Sequence, residues 1–287
     1  MIIDMHVHPF CKEAYWGDDL DFVANALLGT NKKGRRAMLK FYEVLQTKIS
    51  IDDYITQMEK YGIDKAVIVS YNLTTAYGVC IVTNDNIADF VKRYPEKFIG
   101  FACIDVPASD AMDQLDYAIT SLGLKGVKLV PPAQKFDISD KKYDPLWKKM
   151  IDFNIPLWTH TAHLGSIIGS ITKYGHPMLV DALASKHQDL TIIMGHMGTP
   201  WFWEAWSVVV RHPKVYIDIS AYPELYQWFP FEAFSKSNAE DKVLFASDHP
   251  LKHWNEIIPA VKEIPISDGF KKAIMYENAV KVLGLQK

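Results

Sequence analysis

Residues 1–10 read MIIDMHVHPF, an apolar run that ends in two histidines one residue apart and a proline. A doubly wound dinucleotide-binding sheet follows its first strand with a glycine-rich phosphate loop. This chain has His6, Val7, His8 and Pro9 in that place, and Pro9, which cannot donate to a sheet, helps to end the strand. Outward from this run, short β-rich stretches recur at 65–70 (KAVIVS), 98–103 (FIGFAC), 125–130 (KGVKLV), 155–160 (IPLWTH), 190–196 (LTIIMGH), 215–220 (VYIDIS) and 243–248 (VLFASD). With residues 2–6 they make eight. Most are separated by segments of helical composition, such as SIDDYITQMEKYG at 50–62, where Ser50 caps, Asp53 follows three residues later and Gly62 closes. Strands too apolar to alternate cleanly, each followed by a helix, imply a parallel sheet buried on both faces. Eight such units in about 250 residues predict an α/β fold, a (β/α)₈ TIM barrel.

One segment breaks the rhythm. Residues 9–49 form a long insertion after the first strand, acidic at GDDLDF and basic at NKKGRR, which a barrel would hold over its active-site mouth. No internal repeat, low-complexity tract or linker appears, so residues 1–287 are read as one domain. Net charge is only −3, and apart from Lys32, Lys33, Arg35 and Arg36 the basic residues are scattered, which excludes an extended nucleic-acid-binding face. Cys11, Cys80 and Cys103 are odd in number and irregularly spaced, which suits a reducing compartment rather than a disulfide framework. The chain opens on a strand without a signal-peptide pattern, and no apolar run is long enough to span a bilayer. The expectation is a cytoplasmic protein without membrane or nucleic-acid partners, acting on a small molecule.

In a barrel, reacting groups come from the C-terminal ends of the strands. His6 and His8 end the first run, Lys128 lies near the end of the fourth, His160 ends the fifth, His196 the sixth and Asp248 the eighth. With ten histidines in 287 residues, chance does not place four of them there. Residues i and i+2 of a strand share a face, so His6 and His8 can reach one ion. His160 and Asp248 would complete a nitrogen-rich site with one carboxylate, suited to zinc and acceptable to iron, manganese or cobalt. His196 lies in GHMG, whose glycines would let the backbone pass close to a ligand. Lys128 has several readings: anion binding, acid–base work, a carboxylated bridge between two metals, or a structural ion pair. Arg35 and Arg36 would clamp a substrate carboxylate if the insertion brought them to the mouth, and otherwise begin a solvated helix. Trp158, Trp201, Trp203, Trp206, Tyr222 and Trp254 would form an apolar wall for a planar substrate or simply pack the core. His163, His176, His249 and His253 fall near mouth loops as supporting or surface residues, whereas His187 and His212 precede strands, on the opposite face.

The motifs IDMHVHP, GVKLVP, PLWTHT, IIMGHMG and FASDHP, in that order, resemble the amidohydrolase superfamily of metal-dependent barrels. The resemblance is greatest to its branch containing aminocarboxymuconate semialdehyde decarboxylase, resorcylate-type decarboxylases and several lactone hydrolases. It implies that His6, His8, His160 and Asp248 bind a divalent metal, most readily Zn²⁺, and that His196 is a catalytic histidine or a ligand of a second ion. It also implies a homodimer. The leading expectation is a metal-dependent hydrolase in which metal-held hydroxide attacks an ester, lactone or amide of a small, carboxylate-bearing substrate, with His196 or Asp248 shuttling the proton. The alternatives are a non-oxidative decarboxylase of an unsaturated or aromatic carboxylic acid, and a metal-binding barrel without turnover.

Overall fold

The computed structural model describes residues 1–17, 19–29 and 31–285. Eight parallel strands run β1 Ile3–Val7, β2 Lys65–Val69, β3 Phe98–Phe101, β4 Val127–Leu129, β5 Leu157–Thr159, β6 Ile192–Met194, β7 Val215–Asp218 and β8 Val243–Leu244. Continuous ladders join β1 to β3 and β4 to β8. Two seams close the circle. At one, Ala102 N donates to Gly126 O (2.8 Å) and Lys128 N to Ala102 O (2.6 Å). At the other, Met5 N donates to Phe245 O (3.0 Å), Asp248 N to His6 O (3.0 Å) and His8 N to His249 O (2.7 Å). The expected TIM barrel is therefore formed, and the bonds that close it also bring Asp248 beside His6 and His8.

The strands look uniformly apolar because both of their faces are buried, yet the side chains alternate in three dimensions. Val67, Val69, Trp158, Ile193, Tyr216 and Leu244 pack together inside the barrel. Ala66, Ile68, Leu157, Ile192, Met194, Val215 and Ile217 belong instead to the larger core between sheet and helices. Val127 and Leu129 share that outer core, so Lys128 between them points inward. The ladders are shorter than the sequence runs. His8, His160, His196 and Asp248 lie just beyond the last paired residues, where the chain turns into the loops of the mouth.

Helix Ile51–Tyr61 starts at the capping box anticipated at Ser50 and Asp53 and ends at Gly62, whose φ of 70° favours glycine. The insertion folds into helices Leu20–Leu28 and Lys32–Lys48, the latter capped by Asn31 just before KKGRR. A small hairpin, Tyr71–Leu73 with Val79–Ile81, follows β2 and has no counterpart in the sequence reading. No helix among the described residues is long and apolar enough to cross a membrane.

Candidate metal centre and proton-transfer site

His6, His8 and Asp248 each offer a ligand atom, and these atoms lie within 4.8 Å of one another. Asp248 Oδ1 is 3.5 Å from His6 Nδ1 and 3.3 Å from His8 Nε2. His6 Nδ1, His6 Nε2 and His8 Nδ1 are buried without a hydrogen-bond partner. Such a cost is offset when a cation takes the lone pairs, so the donor set fits a divalent metal. Burial lowers the pKa of both imidazoles well below the ordinary 6.5, assisted by the positive charge of Lys128, which keeps them neutral. Burial also raises the Asp248 carboxyl, while Lys128 opposes that rise.

His160 stands one step away. Its ring packs 4.5 Å from that of His196, and Nε2 lies 3.4 Å from the His163 carbonyl oxygen, which places the proton on Nε2 and leaves Nδ1 free. His196 is 5.4 Å from His6, ring to ring. His196 and Asp248 both sit at positive φ, 59° and 70°, a backbone state that costs a non-glycine residue about 1 kcal/mol or more.

Lys128 is buried with its Nζ 4.5 Å from the centre of the Tyr71 ring and 5.6 Å from that of Trp158. It has no salt bridge within 4.0 Å among the described residues, and Asp248 is the carboxylate that acts on it electrostatically. Burial pulls its pKa down to about 8, while Cys103 and then Asp248 oppose the fall.

Three features with open sequence readings have definite surroundings. Trp158 is completely buried inside the barrel, donating from Nε1 to Asp218 Oδ2 (2.6 Å) with its ring 4.2 Å from His6, which matches the core-packing reading. Arg35 spends its guanidinium on Asn25 (2.8 Å) and Asp21 (3.8 Å), Arg36 is exposed, and neither lines the cavity at the mouth. The glycines of GHMG serve packing: a Cβ on Gly195 would meet Trp158 Cζ2 at 2.2 Å, and one on Gly198 would meet Ala205 Cβ at 2.5 Å.

Two buried carboxylates were missed. Asp4 accepts from His6 N (3.1 Å), Ser247 N (3.0 Å), Ser247 Oγ (2.5 Å) and Trp254 Nε1 (2.6 Å), tying β1 to the loop that carries Asp248. Burial nevertheless pushes its carboxyl up to about 6. Asp218 is its counterpart behind His196. Asp218 stands at the end of the run VYIDIS, a strand-end position like those of the histidines. Of the remaining histidines, His187 and His212 pair with Asp144 (2.9 Å) and Asp181 (2.8 Å), far from this chemistry.

A cavity of ≈ 60 Å³ opens beside His8. Phe10, Tyr42 and Tyr71 give it aromatic walls, and Leu27, Leu28 and Met38 of the insertion close it. Three larger surface hollows are lined by other residues, away from the histidine cluster.

Fold and site together define a parallel (β/α)₈ barrel with a histidine–carboxylate cluster at its mouth. The chain belongs to the amidohydrolase family, whose model matches residues 3–285. It is similar to the γ-resorcylate decarboxylase of Polaromonas sp. strain JS666, 22% identical over 82% of this chain and 88% of that one. A second γ-resorcylate decarboxylase, from Rhodococcus jostii RHA1, is 21% identical over 71% and 76%. Among solved structures, an uncharacterised TIM-barrel protein of Bordetella bronchiseptica superposes with a TM-score of 0.77 at 23% identity, covering 99% of this chain and 98% of that one. The 5-carboxyvanillate decarboxylase of Novosphingobium aromaticivorans, solved with manganese, superposes with a TM-score of 0.70 at 21% identity, covering 99% and 96%. Both γ-resorcylate decarboxylases are, by name, carboxy-lyases.

Proposed function

We propose that the protein is a metal-dependent, non-oxidative decarboxylase of a small hydroxylated aromatic carboxylic acid. The observation that carries this reading is the cavity at His8, whose aromatic and apolar walls suit one flat ring and which meets the ligand cluster through His8. A volume of ≈ 60 Å³ is about that of two waters, so the Leu27, Leu28 and Met38 wall must move outward to admit a ring. The insertion 9–49 then acts as the cap of the site.

His6, His8 and Asp248 would hold the cation, and His160, the neighbour of His196, would be a further ligand. A divalent ion there supplies positive charge that orients the substrate's oxygens and stabilises the charge developing on them. Zinc suits the donor set, and manganese, present in the Novosphingobium structure, is the competing candidate. Lys128 provides the second positive charge that attracts an anionic substrate. The reaction adds a proton to the ring carbon that bears the carboxylate; the bond to the carboxyl carbon then breaks, its electron pair returns to the ring, and carbon dioxide leaves. Asp248, whose Oδ1 lies between His6 and His8 at the centre of the cluster, is the proton source. His196, whose ring lies 5.4 Å from that of His6, accepts the proton of a neighbouring ring hydroxyl at Nε2 and returns it at the end.

The test is turnover of a panel of hydroxybenzoates and of lactones, with and without chelator. Carbon dioxide and the matching phenol, lost on chelation, support the proposal. Lactone or ester cleavage without carbon dioxide would restore the hydrolytic alternative, and no metal-dependent turnover of any kind would point to a binding barrel.

A further inference from the structure

His196 is held from behind by groups that the reaction scheme leaves unassigned. Its Nδ1 lies 2.8 Å from Ser220 Oγ, and Ser220 Oγ lies 2.6 Å from Asp218 Oδ1. Asp218 also takes the backbone N–H groups of His196 (2.9 Å) and Ser220 (3.0 Å) on Oδ1, and the indole N–H of Trp158 (2.6 Å) on Oδ2. All these residues are buried.

We infer that Ser220 and Asp218 are positioning residues that fix His196 as its Nδ1–H tautomer and so leave the Nε2 lone pair for proton transfer. The direction of every bond follows from the donor inventory. Backbone amides and indole nitrogen only donate, so both oxygens of Asp218 are engaged as acceptors. A proton on Oδ1 would face two N–H groups, and one on Oδ2 would face the indole; Asp218 is therefore held as a carboxylate despite its burial. A carboxylate only accepts, so the single Ser220 hydroxyl hydrogen must go to Asp218 Oδ1. Ser220 Oγ then has only lone pairs to offer His196, and Nδ1 must carry the hydrogen. Trp158 enters the same chain, which links the residue beneath His6 to the protonation state of His196. Thr199 Oγ1 caps the His196 carbonyl at 2.7 Å, holding the left-handed backbone that aims the ring.

The inference rests on the assignment of His196 to proton transfer, but its first test does not depend on any reaction. Protein labelled with ¹⁵N-histidine and loaded with zinc, which is diamagnetic, reports each imidazole tautomer by long-range ¹H–¹⁵N correlation. The expected wild-type result is a His196 proton on Nδ1. A proton on Nε2 would overturn the inference, whatever the enzyme turns over. Ser220→Ala is expected to release the tautomer and to lower kcat about 10–100-fold with KM little changed, the range typical of a lost orienting partner. Ser220→Thr, which keeps the hydroxyl, is expected to restore both. Ser220→Ala with the wild-type tautomer and kcat would refute the role of Ser220. If Ser220→Ala fails to fold, the wild-type tautomer still decides. A correct tautomer with no decarboxylation would leave the relay standing and remove the functional proposal.

Discussion

Gly195→Ala is expected to damage the protein through one contact. Gly195 has φ −80° and ψ 156°, which any residue adopts, so the backbone sets no penalty. The added Cβ would instead lie 2.2 Å from Trp158 Cζ2 and 2.5 Å from Cη2, against an ordinary carbon–carbon separation of about 3.5–4.0 Å. Trp158 cannot simply retreat, because its indole is bonded to Asp218 and its ring is packed against His6. Relief requires a shift of more than about 1 Å in a close-packed core, and overpacking of this kind costs about 1–3 kcal/mol. At about 2–4 °C per kcal/mol for a chain of this size class, Tm should fall by about 2–12 °C. A double-mutant cycle identifies the cause. Trp158→Phe removes the indole atoms that the Cβ would strike, at its own cost of about 1.5–3 kcal/mol for the lost bond to a carboxylate. In that background Gly195→Ala should cost less than about 1 kcal/mol, a coupling typical of residues in contact. Thermal or urea melts of the four proteins provide the measurement. Equal costs for Gly195→Ala in the two backgrounds would refute this account of the glycine.

Further consequences concern the metal, the cap and pH. His8→Ala and Asp248→Asn should each reduce bound metal in purified protein to below about half of wild type, since either removes a ligand of the three-atom cluster; elemental analysis alongside far-ultraviolet circular dichroism checks this, and full metal content would argue against the cluster. Met38→Ala, by widening the cavity wall, should raise kcat/KM for ring-substituted acids by about 10-fold relative to the smallest substrate, within the 1–3 kcal/mol that a few methylenes contribute. An unchanged preference would move the binding pocket elsewhere. The Asp53 carboxyl is held below its ordinary 3.8 by the bonds from Ser50, so its stabilisation is fully present above that value and is lost as pH falls through the lower folded value. The Tm gap between wild type and Asp53→Ala should accordingly be open at pH 7 and narrow below pH 3.8. A gap that does not narrow would assign the effect to something other than charge.

Much of this barrel is written in local chemistry. The first-strand histidines, the capping box at Ser50 and the succession of buried runs each carry their meaning in a few neighbouring residues. The parts that were not legible depend on pairs far apart in the chain. Trp158 reads equally as a wall for a flat ligand or as core until Asp218, 60 residues later, takes its indole N–H. Arg35 reads as a clamp or as a solvated helix start until Asn25 and Asp21 are seen to occupy it. Gly195 reads as room for a ligand, and the room belongs to tryptophan. His160 shares the strand-end position of His6, His8 and Asp248, and its ring lies 4.5 Å from that of His196.

The central claim is that this barrel replaces a ring carboxylate by a proton. Turnover of 2,6-dihydroxybenzoate in D₂O by the metal-loaded protein tests it most directly, with carbon dioxide and the phenol followed together. The account predicts one carbon dioxide per phenol, one deuterium on the carbon that lost the carboxylate, and loss of both products on chelation. Recovery of the acid unchanged, while a lactone or ester is hydrolysed by the same metal-loaded protein, would contradict it.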